Sequence, residues 1–260
     1  MISLNPCCPE PFFTDSSPLS CIKKCRQKLI TATHNQEKVL EAFDRLIGAI
    51  TNGSLTNEEI QKICLAIEFV LEKYQYKNDI YNGTLSLIIR HLEVAYILAN
   101  ENKEISLHCL LTAVLHGVLE NKQTNLKEIE QVFDSSFANT LQELNHQDEL
   151  DKEMTIYQQL IYRQNQLNRI CKLSYAAIVV ILAEKLYHLR NLPEEWSYHR
   201  RCSYAYFVDQ ILKIIQERRI HENLPPDFSK TLQTLKSLLL KQIDLILQNY
   251  TNNFFVKSRY

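Results

Sequence analysis

Only four glycines interrupt 260 residues. Glycine weakens a helix interior by about 1 kcal/mol relative to alanine, so a chain that nearly omits it and abounds in Leu, Ile, Glu, Gln and Lys is composed for helix. The patterning agrees. Apolar residues recur at helical spacing from Cys21 onward, strongly over Gln36–Ile50, "QEKVLEAFDRLIGAI". Thr56 with Glu59 and Asn125 with Glu128 form capping pairs that open helices. Further helices are expected over Leu85–Asn100, Ile105–Glu120, Leu126–Phe133, Ser136–Leu144, Tyr175–Leu192, Ser203–Arg219 and Lys230–Asn249. A Gln- and Asn-rich helix within Asp148–Lys172 should be exposed or only partly packed. No strand pattern competes and no repeat emerges. The expected fold is all-α.

A hydrophobic fraction of 45% can bury a sizeable core. The chain divides into a flexible N-terminal segment with cysteines and prolines over 1–35, a helical domain over 36–220, and a C-terminal helix and tail over 221–260. A net charge of −1 and a pI near 6.7 leave no footprint for nucleic acid. The opening "MISLNPCCPEPFF" lacks the basic and apolar regions of a signal peptide. The longest apolar span, Leu173–Ala183, has 11 residues, about half of what a bilayer requires. A cytoplasmic protein without a membrane span is therefore expected.

Cys64, Cys109, Cys171 and Cys202 lie singly in helical patterns and read as buried thiols. Cys7, Cys8, Cys21 and Cys25 crowd near the start, at a spacing unlike the familiar zinc modules and without a basic anchor for acylation. Tyr198, Tyr204, Tyr206 and Phe207, close to His199, Arg200 and Arg201, read as helix packing with a solvated basic edge. The amphipathic stretch over 230–249 closes the bundle or contacts a second copy or another protein.

Three elements place polar groups inside apolar helices: "RHLEVAYILA" (Arg90–Ala99), "LLTAVLHGVLEN" (Leu110–Asn121) and "LAEKLYHLRNL" (Leu182–Leu192). His116 lies among Val114, Leu115, Val118 and Leu119 and points inward or into a cleft, with Glu120 one turn later on the same face. Glu184 sets a carboxylate between "IVVIL" and "LYHL". Individually these are ordinary features. A histidine on an apolar helix is by default a satisfied core residue, and a lone glutamate reaches solvent or an arginine.

Their order changes the balance. "RHLEVAYIL", "VLHGVLEN", "NLKEIEQVFD", "LAEKLYHLRNL" and "EEWSYHRRCSYAYF" stand in sequence over roughly Ala66 to Ile215. They resemble the HPxxVAxIL, LLHDxxED, TxxEhxxxFG (h apolar), LAD-K/R-LxNxRxL and WSxHR…Y segments of the HD-domain (p)ppGpp 3′-pyrophosphohydrolases, especially the small stand-alone alarmone hydrolases. The resemblance implies an HD-domain helical bundle. In that family the first His, the HD pair and the final Asp hold one divalent ion, usually manganese, which polarises the diphosphate and activates a water. The ED pair orients that water or exchanges protons, and the last Asn and Arg lie near the nucleotide.

Carried over, the resemblance makes His91, His116 and Glu184 the metal ligands, Glu120 and Asn121 the catalytic pair, and Arg90, His188 and Arg190 the nucleotide contacts. The departures are pointed. Gly117 replaces the Asp of the HD pair, Asn121 the Asp of the ED pair, Glu184 the final Asp and His188 the Asn. Registering the first motif on "VA" puts Arg90, not His91, at the metal-binding position; a one-residue shift restores His91 but turns the side chain by about 100°. A glycine within the helix would cost about 1 kcal/mol, so it reads as an eroded or repurposed position.

Three readings follow. One is a degenerate HD domain without bound metal that still takes a nucleotide or serves a protein partner, with Arg90 pairing with Glu184 or Glu120 or binding a phosphate. Another is a manganese-dependent phosphohydrolase with an altered ligand set. The last is an all-α scaffold. Either of the first two expects His116, Glu120, Glu184 and Arg190 to line one cleft.

Overall fold

The computed structural model describes residues 17–34, 36–75, 85–102, 105–121, 124–145, 156–221 and 226–257. Among them the chain is helical, with no strand: α1 Pro18–Ala32, α2 Glu37–Thr51, α3 Asn57–Gln75, α4 Leu85–Glu101, α5 Leu107–Leu115, α6 Leu126–Val132, α7 Ser135–Leu144, α8 Ile156–Ile170, α9 Tyr175–Arg190, α10 Tyr198–His221 and α11 Pro226–Lys257. No described helix is long and apolar enough to cross a membrane.

The helix starts are fixed by local chemistry. Thr56 and Glu59 close a reciprocal box: the Thr56 amide donates to Glu59 Oε2 at 2.8 Å, and the Glu59 amide to Thr56 Oγ1 at 3.3 Å. Asn125, Ser106 and Ser174 each accept an amide three residues on, capping α6, α5 and α9.

α4, α5 and α9 pack on one another and form the centre. α2 covers α4, α3 covers α5, α1 lies on α3, and α11 closes the other side against α9 and α10. Because neighbours surround it, α9 is apolar all round: Ala176–Ala183 are all buried. So is Cys109–Leu115 of α5. The first polar groups after these runs, His116 and Glu184, emerge at the same junction.

The structure departs from the sequence reading in four places. α1 lies within the segment expected to be flexible, and Cys25 and Leu29 are fully buried there; residues 1–16 lie outside the described residues. The helix expected over 105–120 ends at Leu115. His116 and Gly117 turn the chain into a short 3₁₀ turn, Val118–Glu120. Gly117, at φ −104° and ψ 3°, sits in a conformation open to any residue, so the helix-interior penalty does not apply. Cys171 is exposed in the turn after α8, and Cys202, near the start of α10, is only partly buried.

Candidate functional site

Arg90 and His91 come from α4, His116 and Gly117 from the end of α5, and Glu184, Lys185 and His188 from α9. Tyr74, at the end of α3, and Tyr204, on α10, complete the surroundings.

The two inner imidazoles are held alike. His91, 1% exposed, is 2.7 Å from the Val114 carbonyl through Nδ1, and His116, 7% exposed, is 2.6 Å from the Ala113 carbonyl through Nδ1. A carbonyl only accepts, so both rings donate from Nδ1 and carry the lone pair on Nε2. The rings lie 4.5 Å apart, centroid to centroid. His91 Nε2 faces the Tyr74 hydroxyl at 3.5 Å, and that hydroxyl donates to the Gly117 carbonyl at 3.1 Å. Among the described residues His116 Nε2 has no hydrogen-bond partner; it lies 3.9 Å from Glu184 Oε1.

Burial pushes His91 well below the ordinary imidazole range, helped by His116 and Arg90. Burial also lowers His116, against the pull of Glu184. Both rings are thus neutral acceptors at pH 7. Burial opposes the charge of Glu184, but the cations Lys185 and Arg90 beside it outweigh burial and hold the carboxyl well below its usual range.

The ambiguity between positions 90 and 91 resolves into both. His91 points inward, while the longer Arg90 reaches the same place: its Nη1 is 3.7 Å from Glu184 Oε1. Among the described residues Arg90 Nε has no hydrogen-bond partner. Lys185 Nζ lies 3.8 Å from the other Glu184 oxygen. Gly117 makes room for this: a side chain there would begin 3.0 Å from His91 Nε2 and 3.4 Å from Arg90 Nη2.

The other sequence candidates scatter. His188 is half-buried beside Glu184, with Nδ1 3.2 Å from the Tyr204 hydroxyl, and burial lowers its pKa to about 4. Asn121 is buried, but its amide donates to the Lys73 carbonyl and ties the 3₁₀ turn to α3. Glu120 is exposed; its charge, after burial, helps push the Tyr74 hydroxyl up to about 12. Arg190 points away, 3.5 Å from Glu101. His116 and Glu184 therefore share one place, and Arg190 does not join them. Sequence reasoning passed over Tyr74, which has no local signal, and Lys185 as a group of its own, although it stands inside a quoted motif.

Two Nε2 lone pairs and a carboxylate are the donor types a divalent ion takes. As arranged, they do not fit one. The Arg90 guanidinium stands against the carboxylate and the space beside Gly117, and among the described residues no three His, Cys, Asp or Glu groups converge at ligand spacing.

The HD domain family matches residues 66–215. Guanosine-3′,5′-bis(diphosphate) 3′-pyrophosphohydrolase MESH1 of Homo sapiens is 30% identical over 173 residues, covering 64% of this chain and 92% of the relative. The Danio rerio protein of the same description is 29% identical over 151 residues, covering 56% and 80%. A solved structure described as a metazoan ortholog of SpoT that hydrolyzes ppGpp covers 70% of this chain and 95% of its own, at 18% identity and TM-score 0.51, a likeness of fold. The chain belongs to the HD-domain family, as a relative of the stand-alone (p)ppGpp 3′-pyrophosphohydrolases.

Proposed function

We propose that this HD domain binds a ppGpp-like nucleotide through a site in which the Arg90 guanidinium takes the place of a metal ion, and that hydrolysis is lost or strongly reduced. One observation carries the reading: the guanidinium, 3.7 Å from Glu184, stands against the space that Gly117 leaves clear. A guanidinium offers a phosphate two parallel N–H donors, as a divalent ion offers it charge. It cannot lower the pKa of a water, which is the ion's chemical contribution. Arg90 and Lys185 against Glu184 leave a net inner charge of +1 beside neutral imidazoles, a balance that favours an anion. Arg90 Nε supplies an unmet donor.

A second reading keeps the enzyme active with altered ligands. Its support is the pinned tautomer: a metal-binding imidazole characteristically donates its other N–H to a carbonyl or carboxylate, as both rings do here. With Arg90 swung outward, His91, His116 and Glu184 would be the available ligands for manganese.

Calorimetric titration with guanosine 3′,5′-bis(diphosphate), in chelator and in manganese, separates the two. The proposal expects nucleotide binding in chelator that is lost in Arg90→Gln, with no diphosphate released over hours. Stoichiometric manganese binding with steady turnover would transfer the assignment to the enzyme.

A further inference from the structure

Three thiols meet where α1 lies on α3, away from the site above. Cys21 and Cys25, one turn apart on α1, pack into the same core as Cys64, midway along α3, and Cys21 is near enough to Cys64 to feel its charge. The Cys25 thiol donates to the Cys64 carbonyl at 3.7 Å. All three are unbonded; Cys25 and Cys64 are fully buried, while Cys21 is partly open to solvent. A single buried cysteine is an ordinary small apolar residue. Three set together across a helix–helix contact, with one edge reachable from outside, have both a point of entry and an internal partner.

We propose that Cys21, Cys25 and Cys64 form a thiol–disulfide relay that fastens α1 to α3 when the chain meets an oxidised glutathione-type disulfide. The Cys21 thiolate attacks one sulfur of the oxidant, forming a mixed disulfide and expelling one glutathione thiolate. The Cys64 thiolate then attacks the Cys21 sulfur and expels the second, closing a Cys21–Cys64 bond. The two thiol protons leave with the two glutathiones, so two electrons pass from the protein to the oxidant. Attack by Cys25 on the Cys64 sulfur passes the bond inward and returns Cys21 to its thiol.

The relay is slow by construction. Burial, and then Cys64, push the Cys21 thiol up to about 11, which leaves roughly one thiolate in ten thousand at pH 7. Its neighbour Cys25, and then burial, raise Cys64 further. The bond therefore answers sustained oxidation rather than a brief pulse. It ties the N-terminal helix, outside the matched segment, to a helix that continues into it.

The test incubates the full chain with oxidised glutathione at pH 7, 8 and 9, blocks remaining thiols, and maps non-reduced peptides by mass spectrometry. Peptides joined through Cys64 to Cys21 or Cys25 are expected, at a rate rising about tenfold per pH unit with the thiolate fraction. The unfolding midpoint should rise by roughly 5–10 °C and return on reduction. Cys25→Ser should retain the Cys21–Cys64 bond, and the exposed Cys171 should end as a mixed disulfide. A lasting glutathione adduct on Cys21 with no joined peptide would overturn the relay. So would three untouched thiols at pH 9 once Cys171 is fully oxidised, a result read on the wild-type chain alone.

Discussion

The α4–α5–α9 site and the α1–α3 contact both bury groups that titrate, but they treat them in opposite ways. At α1–α3 the thiols are held neutral, and the Cys25 thiol is taken up by the Cys64 carbonyl. At the site, a guanidinium, an ammonium and a carboxylate are drawn together, while His116 Nε2 and Arg90 Nε go unmatched. A cluster that satisfies itself needs only packing to persist. Unmet polar capacity in a protein interior carries a desolvation penalty that a bound ligand removes. That difference is what the proposed binding at one region rests on, and it leaves the other as a joint.

The comparison is broken most forcefully by rebuilding the metal centre. His91 already supplies an inward imidazole, so the change to make is removal of the competing cation together with restoration of a carboxylate. Gly117→Asp/Arg90→Gln should bind manganese at least a hundredfold more tightly than wild type, about 2.7 kcal/mol. Gly117→Asp alone should gain little, because Arg90 captures the new carboxylate and His91 must shift from its 3.0 Å approach. Equal, negligible binding by all three folded proteins in a calorimetric titration would count against a metal-derived site.

Glu184→Gln ranks next. It leaves Arg90 and Lys185 without their shared counter-charge. The loss should be about 2 kcal/mol in urea unfolding, below the roughly 3–5 of fully enclosed pairs because the side chain is 19% exposed. Arg90→Gln/Glu184→Gln should recover much of it. A double variant no better than the sum of the singles would show that the charges are not coupled.

The smallest effects appear along the pH axis, where the two regions fail at opposite ends. Burial depresses His91, His116 and His188, so below about pH 6.5 the unfolded chain takes up protons that the folded one refuses. Stability should fall as pH drops; His188, near 4, accounts for at most about 2 kcal/mol of loss by pH 5. The thiols are raised instead, so above about pH 8.5 the unfolded chain loses protons first and stability falls as pH rises. Chemical denaturation from pH 5 to 10 should show that Cys64→Ala flattens only the alkaline limb and His188→Asn only the acid one. Identical profiles for the two variants would dissolve the distinction.

The helices were legible because their signals are local: Thr56 with Glu59 and Asn125 with Glu128 act within one turn, and the apolar period needs only its own helix. The end of α5 was not, since Leu115 and Val118 are both fully enclosed and apolar spacing runs straight through the turn between them. Order along the chain brought His116 and Glu184 to one place. It could not decide between Arg90 and His91, because a helical register treats them as alternatives, whereas an arginine stem is long enough for both to reach the same point. Tyr74 and Tyr204 arrive from helices whose approach only the folded chain specifies.

The family match begins at residue 66, midway along α3, and ends at 215, inside α10. The matched segment, cut at those two borders, is thus not a unit that stands free. A truncation at its borders would sever two helices and strip α2, with its fully enclosed Phe43 and Leu46, from the α4 face that α2 covers. Arg90 and His91 ride on that same α4. What the motif match delimits and what folds as a body have different edges here. A gene fusion or domain transplant drawn along the first would deliver the motif residues without the wall that aims them.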